Sequence, residues 1–180
     1  MRKQLKSARD DRVFVTVKRR RGWLETDGYV AAVGREWSAI VKVEDLSFQG
    51  IVFVRNSDVR ALKPIKNQRR TSRAFLEQQG MWPPAVPDLL DLDSTVGLLQ
   101  TAGSLSRTLG FSNERKGRGF FVTTVDRIGK TWFDNREVKS SGRWKKAPMQ
   151  FRHALLTRVM LWDPYVETVT QLADASVEQS

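Results

Sequence analysis

The stretch Gly22–Leu62, GWLETDGYVAAVGREWSAIVKVEDLSFQGIVFVRNSDVRAL, decides the fold. Apolar residues alternate through Tyr29, Ala31 and Val33, and again through Ile51, Phe53 and, after a turn, Val59. Val30, Ile40, Val41, Val43, Val52 and Val54 put β-branched bulk on the other positions. Successive strand side chains point to opposite faces, so both faces of these strands carry apolar load. Turn formers punctuate the run at Asp27-Gly28, Gly34, Gln49-Gly50 and Asn56-Ser57-Asp58. Short strands joined by tight turns curl a small sheet onto itself and bury its edges. The expectation is a five-stranded small β-barrel over residues 13–66.

Working outward, Val13–Val17 (VFVTV) reads as the first strand. Gly28–Val33 and Trp37–Val43 form a hairpin around Gly34, Ile51–Arg55 is the fourth strand, and Asp58–Leu62 holds a turn and the fifth, closed by Pro64. Residues 1–12 read as a basic tail, mobile or loosely helical. Residues 67–92 hold a helix, Gln68–Gln79, ended by Gly80, and then the linker MWPPAVP, whose three prolines impose an extended path.

Residues 93–174 begin with a helix capped by Asp93 or Ser94, with Val96, Leu98, Leu99, Ala102 and Leu105 on one stripe. A second strand set follows: Thr108–Phe111, Phe120–Val125, Lys130–Phe133, Trp144 and Leu155–Trp162. Asp163-Pro164 opens a C-terminal helix with Tyr165, Val166, Val169 and Leu172 spaced to dock on a sheet, and residues 175–180 are a tail. The halves rhyme: VFVRNSDVRAL ends the first strand set and QFRHALLTRVML the second, each with an Arg in its last strand (Arg60, Arg158). The expected class is mainly β (α+β): two small barrels of SH3/Sm-like kind bridged by helices, with a short C-terminal helix.

The chain has 180 residues, a hydrophobic share of 40% that supports a core, no cysteine and one histidine. Disulfides, thiolate metal sites and cysteine nucleophiles are excluded. No apolar run has the length of a membrane span or a secretory signal, so a cytoplasmic protein without membrane insertion is expected. The net charge of +11 favours anionic partners, nucleic acid first. The cations cluster at Lys18, Arg19, Arg20 and Arg21; at Lys63, Lys66, Arg69, Arg70 and Arg73; at Arg115, Lys116 and Arg118 on a Gly-rich turn; and at Arg143, Lys145 and Lys146. Trp23 and Trp144, each beside a basic run, are the candidates for stacking on unpaired bases, whereas Trp37 and Trp162 read as core. Pairing of the first and last strands is expected to bring Lys18–Arg21 beside Lys63, Lys66, Arg69 and Arg70 as one anion-binding surface.

The first half resembles the Sm-like family of small RNA-associated barrels. Gly28, Val30, Gly34, Trp37, Ser38 and Ile40 occupy the places of its first motif, and Val54, Arg55, Asn56 and Ser57 those of its second. Gly34, Ser38 and Asn56 stand where the family has an acid, an Asn and a Gly, so the resemblance does not extend to pocket-type uridine recognition. It implies a small barrel with Arg55 among its nucleic-acid contacts. A Src-homology-type barrel has nearly the same pattern, and the arrangement of barrel, helix and second barrel is similar to uncharacterised bacterial proteins.

Catalytic constellations are scarce. His153 stands alone at a strand start, with no nucleophile elbow. Asp88, Asp91 and Asp93 lack the Gly and distant Glu of a calcium loop and read as a capped helix start. RKGRG lacks the Walker spacing. Asp126 followed by Glu137-Val138-Lys139 has the residue types of a metal-dependent nuclease, but Asp134-Asn135-Arg136 reads as a hairpin turn that puts Glu137 and Lys139 on the solvent face. The expected function is therefore non-catalytic binding of nucleic acid, RNA ahead of DNA, through phosphates and with little sequence specificity, with no cofactor and no metal. The alternatives are an adaptor whose barrel groove takes a protein partner and, behind it, a metal-dependent nuclease.

Overall fold

Alternating apolar side chains shape the first half as a meander of Phe14–Arg19 (β1), Thr26–Val33 (β2), Trp37–Glu44 (β3) and Ser47–Arg55 (β4), with Val59–Pro64 (β5) returning to pair with β1. The structure, a computed structural model, describes residues 1–20, 25–114 and 119–178, without the side chains of 67–69 and 178. Register shifts at Lys18/Arg19, Val30/Ala32 and Val41/Val43 mark bulges that bend these strands. The β3–β4 turn is Asp45-Leu46, both at positive φ, as a two-residue hairpin requires. Gln49-Gly50, expected as that turn, lies inside β4.

The first-with-last pairing of a barrel is present, but closure is not. The outer edge of β4 pairs with Arg158–Leu161 (β12) instead of β5. A strand edge takes whichever complementary edge the whole chain supplies. Here the supplier is the second half: Leu109–Asn113 (β6), Gly119–Thr123 (β7), Trp132–Asn135 (β8), Glu137–Lys139 (β9), Arg143–Trp144 (β10), Met149–Arg152 (β11), a 3₁₀ turn at His153–Leu155, and β12. β9 pairs with β10 and β8 with β11 in one interrupted hairpin, in which residues 145–148 oppose only 136–137. Asp134 and Asn135 thus end β8 and Arg136 marks the interruption before β9, so the three are not the hairpin turn the sequence suggests.

The ten-stranded order is β10-β9-β7-β6-β12-β4-β3-β2-β1-β5. The second half, β12-β6-β7-β9-β10, repeats the pairing order of the first, β5-β1-β2-β3-β4. The strands of each half stay contiguous, but two separate closed barrels are not formed: the halves share the β4–β12 joint and one core.

That core lies on one face of the sheet. Trp37, Ala39, Val41, Ile51, Phe53, Val159 and Leu161 pack with Phe133, with Leu76 of Lys66–Gln78 (α2) and with Leu98, Leu99 and Ala102 of Thr95–Leu105 (α3). The opposite face, with Val15, Val17, Val30, Ile40, Val52, Val54 and Met160, is covered by Leu5 of Arg2–Asp10 (α1). The basic N-terminal stretch is therefore a docked helix. Full burial of Leu5, worth about 1.5–3 kcal/mol, holds an otherwise polar helix in place. Pro164–Glu178 (α4) covers Val122 and Val138 with Val166, Val169 and Ala173. Tyr165 and Leu172, expected in that interface, are exposed, one step round the helix.

Residues 81–92 form a strap rather than an open tether. Met81, Trp82, Val86, Leu90 and Leu92 pack on the main core, and the Leu92 carbonyl accepts the backbone N–H groups of Glu36 and Trp37. No helix among the described residues is long and apolar enough to cross a membrane.

Candidate nucleic-acid interface

The residues carrying the Sm-like resemblance do gather in space, and the protein uses them internally. Arg55 stacks over Trp37 at 4.6 Å, pairs with Glu36, and donates to the Thr95 hydroxyl (3.1 Å) and to the carbonyls of Leu156 (2.9 Å) and His153 (2.7 Å). Glu36 also accepts the Thr95 backbone N–H (2.9 Å), placing a carboxylate at the α3 N-terminus where the helix dipole favours it. Ser38 donates to Asn56 (2.5 Å), and Asn56 donates to the Gly34 carbonyl (3.0 Å). Leu92 of the strap and Thr95 of α3 bond directly to this cluster. Ser94 caps α3 by accepting from Gly97 (2.9 Å), and Asp91 and Asp93 accept hydrogen bonds around that cap, as their reading as a helix start implied.

Arg19 is buried in a two-point ion pair with Glu114 (2.5 and 2.8 Å), which ties β1 to the end of β6. Arg158 lies nearby, its Nε 3.3 Å from the Ser112 hydroxyl; burial first, and then the Arg19 charge, push its pKa down. Lys18 pairs with Glu25, and Arg20 lies exposed beyond the strand.

The single surface expected from β1–β5 pairing does not form. The strands pair, but antiparallel: Lys63 faces Thr16, whereas Arg19 faces Val59. At about 3.3 Å per residue, Arg20 and Lys63 lie toward opposite ends of the pair. What does form is a cationic face at the Lys63 end. Ile65 N–H bonds the Phe14 carbonyl, so α2 starts beside the α1–β1 junction. Lys66, Arg70 and Arg73 follow at i, i+4 and i+7, one exposed stripe of α2, while Ser72 and Leu76 are buried. Arg73 lies 4.9 Å over the Trp82 ring and also pairs with Glu77 (2.8 Å); Arg12 lies 5.9 Å over the same ring. Trp82, Arg9 and Arg12 are absent from the sequence-based site, although a tryptophan within a proline-rich run that follows a basic segment was a usable signal.

In the second half, Arg143 and Lys146 are exposed, and Lys145 pairs with Glu137 (2.7 Å). Trp144 is half-buried: its indole N–H donates to Asp174 (3.0 Å) and Arg107 covers it at 5.2 Å, so it is not an open stacking platform. Arg21, Trp23, Arg115, Lys116 and Arg118, and the Arg69 side chain, lie outside the described residues.

Two of the residues weighed for catalysis, His153 and Glu137, are packed or paired within the protein. His153 is buried and stacks on Phe133 at 6.0 Å. Burial lowers its pKa below the ordinary 6.5, and Arg55 adds to the shift, against opposing carbonyls and Glu36. Glu137 is largely covered and tied to Lys145, not solvent-facing as expected. Among the described residues no group of three or more acids and histidines is placed to hold a metal.

The chain matches no family model, no curated protein and no solved structure. Its function has to be read from its own residues.

Proposed function

We propose that this is a non-catalytic nucleic-acid-binding protein of the cytoplasm that grips phosphates, RNA ahead of DNA, with little base specificity. The observation carrying this reading is the exposed α2 stripe of Lys66, Arg70 and Arg73, set beside the α1 cations and an aromatic ring. Cations on one rigid helix, clear of the core, can neutralise consecutive phosphates, and each neutralised phosphate makes affinity salt-dependent. We read each half as an opened small barrel of Sm-like or Src-homology type; the repeated pairing order supports that reading. Arg20, Arg143 and Lys146 extend the field around the molecule, whereas Arg19 and Arg55 are spent within it.

The adaptor reading has one observation in its favour: exposed Leu46 borders an apolar groove with Ala74 and Phe75. Titration of labelled single- and double-stranded RNA and DNA at two salt concentrations decides between them. Binding that weakens steeply with salt and little with sequence is expected. Absence of binding at low salt moves the adaptor reading ahead, and magnesium-dependent cleavage of the probe would overturn the non-catalytic reading.

A further inference from the structure

The α1 helix ends in a way that costs the chain something. Arg12 N–H bonds the Arg9 carbonyl (3.0 Å) and Val13 N–H bonds the Ala8 carbonyl (3.0 Å). These are the two bonds of a Schellman ending, in which the residue after the C-cap takes a left-handed conformation. That residue is Arg12, with φ 49°. The position suits glycine, because an L-residue there brings Cβ against a carbonyl oxygen. An arginine kept at a glycine position points to work for its side chain.

The side chain leads to a cleft of about 340 Å³ formed by the end of α1 (Arg9, Asp10, Arg12), by β2 (Tyr29, Val30) and by the strap (Pro83, Pro84). Arg9 is engaged with Asp10 (2.7 Å). Arg12 has no ion pair among the described residues; it lies over Trp82, which also carries Arg73. The Arg12 guanidinium is exposed, 5.9 Å from the ring centroid, which leaves its N–H fork available to take two phosphate oxygens at once. Pro83 and Pro84 give the cleft an apolar wall of the kind that accepts a base or sugar face, above a floor closed by the buried Tyr29 and Val30. Its volume is at the small end for ligand sites, the size of one nucleotide, and a concave cleft does not admit the convex surface of a duplex.

We propose that this cleft is a subsite for one unpaired nucleotide of a single-stranded nucleic acid, with Arg12 as its phosphate ligand and Arg73 reinforcing the charge on the shared ring. The inference rests on the nucleic-acid reading above and sharpens it.

The test is Arg12→Gly, measured with a labelled single-stranded oligoribonucleotide by anisotropy and, on the same sample, by thermal unfolding. Loss of a charge-assisted two-point contact is expected to weaken binding about tenfold or more, while Tm stays level or rises because the left-handed strain is relieved. Arg73→Gln, on a different element, is expected to weaken binding in the same sense, and Lys139→Gln, an equal charge change in the other half, to do so far less. A lowered Tm with unchanged affinity would make Arg12 a structural cover for Trp82 and overturn the subsite while leaving the general reading intact. Equal loss on duplex RNA, or displacement of the probe by polyglutamate as readily as by unlabelled oligonucleotide, would overturn it as well. No binding by the wild type at low salt would sink both.

Discussion

Replacing Glu114 with Gln is expected to destabilise the protein strongly without touching the cationic face. The Arg19 side chain is 0% exposed and its Glu114 partner 5%, so neither charge is solvated by water. The variant leaves the Arg19 guanidinium buried without its carboxylate and close to a second buried cation, Arg158. Removing one member of a buried pair costs about 3–5 kcal/mol, because the charge that remains loses its buried counter-ion in a poorly polarisable interior. At about 2–4 °C per kcal/mol for a chain of this size, Tm falls by roughly 6–20 °C. Calorimetry and urea titration measure it. Because the pair spans β1 and β6, a single cooperative transition is expected to move as a whole. Arg19→Met combined with Glu114→Leu is expected to recover most of the loss, since an apolar pair of similar volume avoids the desolvation penalty. A loss below about 1 kcal/mol, the range of solvated surface pairs, would refute the reasoning and return Arg19 to the pool of available phosphate ligands.

Two further outcomes follow from the joint and the strap. His153 is held neutral by burial, with a pKa below 6.5; the folded state therefore binds fewer protons than the unfolded one as pH falls through 6.5, and stability drops there. Urea midpoints from pH 8 to 5 are expected to decline less in His153→Gln, and parallel curves for the two proteins would refute this. Gly34→Ala drives a Cβ to 2.4 Å from the Leu92 backbone. Overpacking of this kind costs about 1–3 kcal/mol, and protease cleavage within residues 81–92, resisted by the wild type, should appear.

The strands of the first half were legible because alternation of apolar residues is a local signal, and Ser94 and Asp163 announced their helices by capping chemistry: Asp163 accepts from Tyr165 N–H at 3.0 Å. Closure was not legible, since whether β4 meets β5 or β12 depends on a segment a hundred residues away. Met149–Arg152 (β11) was missed because a strand of four residues carries too little periodicity. Charge was the least transferable signal. Arg19 and Arg55 look like any other surface arginine in sequence, yet Glu114 and Glu36 claim them across long separations. Arg12 and Trp82 went unread for the converse reason: one lies in what reads as a tail, the other in what reads as a linker, and only packing brings them together.

The most direct test of the nucleic-acid reading is the salt dependence of single-stranded RNA binding by the wild type and by the triple variant Lys66→Ala, Arg70→Ala, Arg73→Ala. At about 0.7 per phosphate neutralised on a single strand, the slope of log affinity against log salt is expected to flatten by about two, with unchanged sequence preference. A slope identical in the two proteins, or no binding by the wild type at low salt, would contradict it.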